Sequence, residues 1–452
     1  MNVQISDVPY VHQLSDTDTI MGIFGNEAGQ MTVKEFSEHL NDNDEQVLHD
    51  LAFYMDINKA SALGSARVDV GGNEHMRQLW EDAGLDVLMD DKGNYCLLNP
   101  DDCRYTVEGD YVLNADGTVK SEYAHGDFMH IRPQSYERIQ DVTVGATTIQ
   151  RTWESLSELP LAHILPRLVV GKFKASVVSG KMRSLPGMVP DNNKTINTFW
   201  NQAQARSLNH GLANLDFRNY LLYHMMSKYG WRDSQGCKNG DGTLVWGVGL
   251  DGSENTTSSA SDGFTRQKNI KTGATLSLGR NDGKVTVKDS ENGDCHSVNV
   301  AGFENPWGQY WEMVQGLCSV GATDVYCWRH NFMPTGTPTA ETFAHVEHVL
   351  LQRATSTSAT GMNIVSSVNG QGTYMIPKQT LSGVTYNDYF SYDASGQLWL
   401  FGGSSHYGAD CGLACANSNA VWSASASYIS ARLAYYGPIN RVTAQRFREL
   451  AS

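Results

Sequence analysis

The chain reads as an α+β protein on three observations. Thr195–Arg206 (TINTFWNQAQAR) and Asp216–Tyr229 (DFRNYLLYHMMSKY) are clear helical segments. Leu168–Val178 (LVVGKFKASVV) alternates as a half-buried strand does. Elsewhere, short apolar runs lie between turns rich in Gly, Asn and Asp, which is the pattern of short strands.

In chain order, Val33–Leu40 is expected to form a short amphipathic helix, with Thr32 as its N-cap and Glu35 at the third helical position. Residues 45–64 read as a longer helix ending near Gly64, with Val47, Leu48, Leu51, Ala52 and Met55 at helical spacing. Residues 1–64 are thus a small leading module, too small to bury much by itself. Residues 65–122 read as a small α+β linker domain, with a helix at Met76–Ala83 and strands at Tyr95–Leu98 and Tyr111–Leu113. Further strands are expected at Met129–Arg132 and Val142–Thr148. The helix Asp216–Tyr229 presents Phe217, Tyr220, Leu221, His224 and Met225 on one face and ends at Gly230. Residues 233–302 are a loop-dominated insert with hairpin candidates at Thr275–Leu278 and Lys284–Val287. The tail, 437–452, holds a short basic helix.

A length of 452 residues suits two or three domains. A net charge of −15 and the lack of any Lys/Arg-rich block argue against a nucleic-acid partner. The first residues lack a basic segment leading into an apolar one, so no secretory signal is expected. No run of 18 apolar residues occurs, so no membrane insertion is expected either. Reduced thiols are the default for the eight cysteines; pairing of Cys318 with Cys327 or of Cys411 with Cys415 is the alternative.

The most unusual stretch is 398–433. The strand Leu398–Phe401 runs into Gly402-Gly403. From Ser404 to Ala431 there is a single formal charge, Asp410, and no Lys, Arg, Glu, Gln, Met or Pro, while seven residues are Ser and seven are Ala. Such a composition fits close-packed strands, and the alternation in Ser423–Ser427 favours that. It fits better a displayed surface of small adaptable side chains.

Upstream, Gly302–Leu317 (GFENPWGQYWEMVQGL) places Trp307, Trp311 and Val314 on one face, with Gly308 permitting a tight turn. Gly308–Met313 resembles the "GNVWEW" segment of the C-type lectin fold in the branch shared with formylglycine-generating enzymes. Phe401–Ser404 is similar to that branch's "RGGS" strand end, and Ser430–Arg432 to its closing "GxR" strand. This chain departs from the pattern at Tyr310, Met313 and Phe401. The likeness covers roughly 125–436, and within it DFRNYLLYHMMSKYG and VGKFKASV resemble segments of gut-phage proteins.

Within that branch, 404–431 resembles the variable region of diversity-generating retroelement proteins, whose prototype is a phage tropism determinant. Errors at template adenines there yield many side chains but not Lys, Glu, Gln, Met or Trp, so Trp422 would be a fixed position. The resemblance implies a C-type-lectin-like domain over 123–436. Its scaffold would be Gly308, Trp311, Phe401, Gly402, Gly403, Gly408, Gly412, Leu413, Ile429, Arg432 and Leu433. The displayed positions would be Ser405, His406, Tyr407, Asp410, Cys411, Cys415, Asn417, Ser418, Asn419 and Ser423, then Ser425 and Tyr428. It implies a non-enzymatic receptor-binding protein of a phage tail tip or fibre, made in the host cytoplasm. The protein would be trimeric, joined to other virion proteins through its first 120 residues, and would bind a host cell-surface protein or glycan with no cofactor.

Other readings stand beside these. A head-decoration protein without receptor binding would share the fold. So would a copper oxidase using Cys411 and Cys415, although CxxxC spacing is a weak metal signature. Trp307, Trp311 and Trp328 read as core, with sugar stacking as the alternative. His345 and His348 would share a helical face but lack a third ligand. Asp91–Asn94, Asp251–Glu254 and Asn281–Gly283 read as turns, calcium being the alternative.

Overall fold

The computed structural model describes the backbone of residues 19–24 and 27–32, then residues 44–57, 65–247, 249, 270–289, 293–357, 362–363, 366–367, 373–377, 379–380, 388–404, 407 and 410–451. The helix expected at Val33–Leu40 and the end of the one expected over 45–64 lie outside these residues. The described part of that second helix is short. Helix covers 44–51, and the chain then turns into strand β1 (Phe53–Asp56). Phe53 and Met55 enter the core while β1 pairs with strands on both sides, and this pairing overrides local helical preference. An unexpected hairpin joins Thr19–Phe24 to Glu27–Thr32.

Further along are β2 (Asp69–Gly72), α1 (Glu74–Asp82), β3 (Leu85–Met89), β4 (Asn94–Leu97), β5 (Asp127–Arg132), β6 (Ser135–Val144), β7 (Thr147–Ser155), β8 (His163–Leu165) and β9 (Leu168–Lys174). The expected strand Val142–Thr148 is in fact the tip of the β6–β7 hairpin, turning at Gly145. Tyr111 and Leu113 make only isolated bridges. Then come α2 (Ile196–Gln204), capped by the Thr195 side chain, β10 (His210–Leu212) and α3 (Leu215–Tyr229).

Within 233–302, Leu276–Leu278 is a short 3-10 turn and not a hairpin, while β11 (Gly283–Asp289) and β12 (Gly293–Val300) form the hairpin expected around Lys284–Val287; β13 (Phe303–Glu304) extends it. The remaining elements are β14 (Trp311–Val320), β15 (Asp324–Cys327), β16 (Val349–Gln352), β17 (Phe390–Tyr392), β18 (Leu398–Phe401), β19 (Ala416–Ala420), β20 (Ile429–Tyr435), β21 (Asn440–Arg441) and α4 (Ala444–Glu449). His345–His348 is a turn, so its two histidines do not share a helical face.

Mixed helices and sheets make the chain α+β. A 13-stranded sheet runs β17-β19-β18-β14-β20-β9-β5-β3-β4-β21, with β10 on β20, and β15 then β16 branching from β14. A five-stranded sheet runs β8-β6-β7-β1-β2. Strand pairing therefore crosses the boundaries expected at 64 and 122. β3 and β4 complete the same sheet as β20, and β1 pairs with β7. The turn-rich look of 65–122 reflects short strands, whose distant partners are not encoded locally.

Helix α3 lies at the centre of the main core. The sequence suggests one apolar face, but residues from Leu215 through Ser227 are buried on every side. Its polar side chains are buried because each meets a partner. Asp216 pairs with Arg329 at 2.9 Å, and Arg218 donates to the carbonyls of Pro306 (2.8 Å) and Leu413 (3.0 Å). Asn214 caps the N-terminus, and Gly230 ends the helix at φ +64°. No helix among the described residues is long and apolar enough to cross a membrane.

Candidate functional site

The C-terminal stretch is built on a buried ion pair. Arg432 on β20 reaches Glu312 on β14, Nε to Oε1 at 3.0 Å, and both side chains are buried. Nη2 also donates to Glu312 Oε2, and the other guanidinium hydrogens go to the carbonyls of Gly171, Lys172 and Glu304. Lys174 also approaches Glu312, at 3.5 Å. Burial by itself pushes the Glu312 carboxyl up, but the Arg432 and Lys174 charges outweigh it and hold it down to about 2. Parallel pairing of Trp311–Met313 with Ile429–Ala431 aligns the two strands.

Strand β18 ends in two glycines that the geometry requires. Gly402 has φ +88°, and a Cβ there would lie 2.7 Å from the Pro306 carbonyl oxygen. Gly403 has φ +74°, and its Cβ would lie 2.5 Å from Cys411 Sγ. Gly308, at φ +69°, donates its N–H to the Gly402 carbonyl, tying the two motifs together. At Gly412 a Cβ would collide with the Asp388 carboxylate, whose Oδ2 accepts from Ala414 N at 2.9 Å. Phe401, Leu413, Ile429 and Leu433 are all core residues.

The expected display positions divide. Ser405, His406 and Gly408 lie outside the described residues. Asn419, Ser423 and Ser425 are exposed, and Tyr428 is 39% exposed. Tyr407 and Asp410 are half-buried. Cys411, Cys415, Asn417 and Ser418 are buried, which corrects the expectation that they are displayed. Asn417 and Ser418 are enclosed in β19, between β17 and β18, and Cys411 and Cys415 pack into the apolar core just before it. Cys411 sits beneath the turn, its thiol donating to the Ser404 carbonyl at 3.2 Å. The alternating Ser423–Ser427 is a loop and not a strand: Ala424 and Ala426 face inward while the serines face out. Trp422 is buried.

Three of these residues, Tyr407, Asp410 and Tyr428, form a rim beside an aromatic group. Tyr407 stands edge-on to Trp311 (5.1 Å between ring centres) and beside Tyr389 (6.1 Å), and it lies close to Tyr428. Burial, then its Cys415, Tyr389 and Tyr428 neighbours, push the Tyr407 hydroxyl up to about 12, so it stays a neutral donor and acceptor. Tyr389 was not singled out from sequence. It precedes β17 some twenty residues upstream, and its N–H donating to the Asp410 carbonyl, with its own carbonyl accepting from Ala416 N, brings it here.

Trp307, Trp311 and Trp328 are buried, as core aromatics are. All eight cysteines are free buried thiols, so neither candidate disulfide forms. Burial and the nearby Asp388 push the Cys415 thiol well above its ordinary range, the opposite of an activated thiolate. Among the described residues no group of three or more His, Cys, Asp and Glu side chains is placed to hold a metal ion. No protein-family model matches this chain, and no curated protein matches it.

Proposed function

We propose that this chain is a receptor-binding protein of a bacteriophage virion. A C-type-lectin-like domain over 123–436 holds a host-surface protein or glycan against the rim formed by Tyr407, Asp410 and Tyr428, with Tyr389 beside it and the exposed Asn419, Ser423 and Ser425 as further contacts. The observation that supports this is the sharp change of environment along 398–433. Exposed, small or tyrosine side chains lie mostly on loops that buried strands hold in place, so the rim can change without disturbing the core. The first 120 residues attach it to other virion proteins and to its own copies. As a trimer it turns weak single contacts into tight ones.

Two tests apply. Fluorescently labelled protein, incubated with a panel of gut bacterial isolates, is expected to bind a subset. Tyr428→Ala combined with Ser423→Lys should abolish or redirect that binding while changing stability by no more than about 0.5 kcal/mol. Unchanged binding by this variant sinks the rim. Infection that proceeds after replacement of 419–428 shows a decoration role instead. Diversification is tested on the DNA: a near-copy of the 404–431 coding segment, differing at adenines and beside a reverse transcriptase gene, is expected.

A further inference from the structure

A second concave site lies at the other end of β20. Tyr428 precedes the first residue of that strand and Tyr435 is its last, so the two sites stand roughly 20 Å apart. The second site has two lobes, of about 410 and 430 Å³, which share Pro166, Arg329 and His330. One wall is β8, the edge strand of the five-stranded sheet, with the chain that follows it. The facing wall comes from the large sheet: the end of β15, the start of β16 and the end of β20. The groove therefore runs along the junction of the two sheets, a common place for ligand sites.

Its chemistry differs from that of the chain as a whole. In a protein of net charge −15, the two lobes are lined by Arg167, Arg329 and three histidines, and by a single carboxylate, Glu347. Asp216 offsets the Arg329 charge from behind, holding Nε at 2.9 Å. Arg167 is exposed, its Nη2 donating only to the Gly437 carbonyl at 2.8 Å, and among the described residues no carboxylate pairs with it. His330 is exposed at the saddle between the lobes. His163 accepts from Arg329 through Nε2, which leaves its Nδ1 as the protonated nitrogen. Trp328 and Tyr374 line one lobe, and Tyr435 and Tyr436 the other.

We propose that this groove binds an acidic oligosaccharide. Its carboxylates would face Arg167 and His330, and a sugar ring would lie against Tyr436, the half-buried one of these four aromatic residues. The planar guanidinium of Arg167 suits a carboxylate, and each lobe has room for a ring-sized unit. The acidic chain argues against a nucleic-acid strand, which needs basic contacts along its whole backbone. The inference does not rest on the display rim.

The test uses the full chain and a fluorescent oligogalacturonate. Wild type is expected to bind it and not a neutral malto-oligosaccharide, with affinity falling as salt rises. Arg167→Ser and His330→Ala, both surface changes, should each weaken binding about tenfold, the effect of losing one charge-assisted contact. Tyr428→Ala should leave it unchanged. Equal binding of the neutral sugar, full affinity in both groove variants, or tighter binding of single-stranded DNA would each overturn the proposal.

Discussion

Replacing Glu312 by Gln probes the ion pair beneath the C-terminal strands. The side chain keeps its size, so almost no cavity forms, while Arg432, Lys174 and Arg218 lose the carboxylate they share. Holding the carboxyl at about 2 in place of 4.5 corresponds to about 3 kcal/mol at neutral pH. Stranding buried cations puts the cost of the substitution at about 3–5 kcal/mol. The sign of the pH dependence follows from the depressed value. The stabilisation is fully present above pH 4.5 and is lost as pH falls towards 2, where wild-type Glu312 is protonated too. Urea unfolding followed by tryptophan fluorescence should show a large gap between wild type and E312Q at pH 7. That gap should close between pH 4.5 and 2.5. A cost under about 1 kcal/mol at pH 7, or a gap that ignores pH, would refute the reasoning.

Glu154→Gln should act in the opposite direction. Burial, then the neighbouring Glu137, push Glu154 well above the carboxylate range. The folded state keeps a proton that the unfolded chain releases above pH 4.5, so wild-type stability declines as pH rises, and E154Q should flatten that decline in melts at pH 5 to 9. Gly403→Ala should cost about 2 kcal/mol, from its positive φ and the collision with Cys411; adding Cys411→Ala should recover part of this in the same unfolding assay, and no loss in the single variant would contradict the geometry. Cys411 and Cys415 should resist a thiol reagent in the native protein and react once it is unfolded in urea; rapid native labelling of either would place it at the surface.

Helices with capping signals were legible in the sequence. Gly230 ends α3 because a cap acts within a few residues. The burial of α3 on all sides was not legible, since it depends on Arg329, Pro306 and Leu413, more than eighty residues downstream. Strand pairings across 64 and 122 were hidden for the same reason. In the candidate site, the glycine turns and Arg432 were readable because few residues tolerate their constraints. The division of 404–431 into rim and core was not: Ser418 and Ser423 are the same residue type, one buried in a central strand and the other exposed on a loop.

The position of β20 has a consequence for synthesis. It joins β14 on one side to β9 on the other, so it links the two halves of the large sheet. Until residues 429–435 have been made, each half carries an open edge facing its missing neighbour. At ribosomal speeds the β9 edge, complete at residue 174, waits roughly 10–50 s for that strand. The large sheet must therefore close late, nearly all at once, when a single seven-residue strand slides between its two halves.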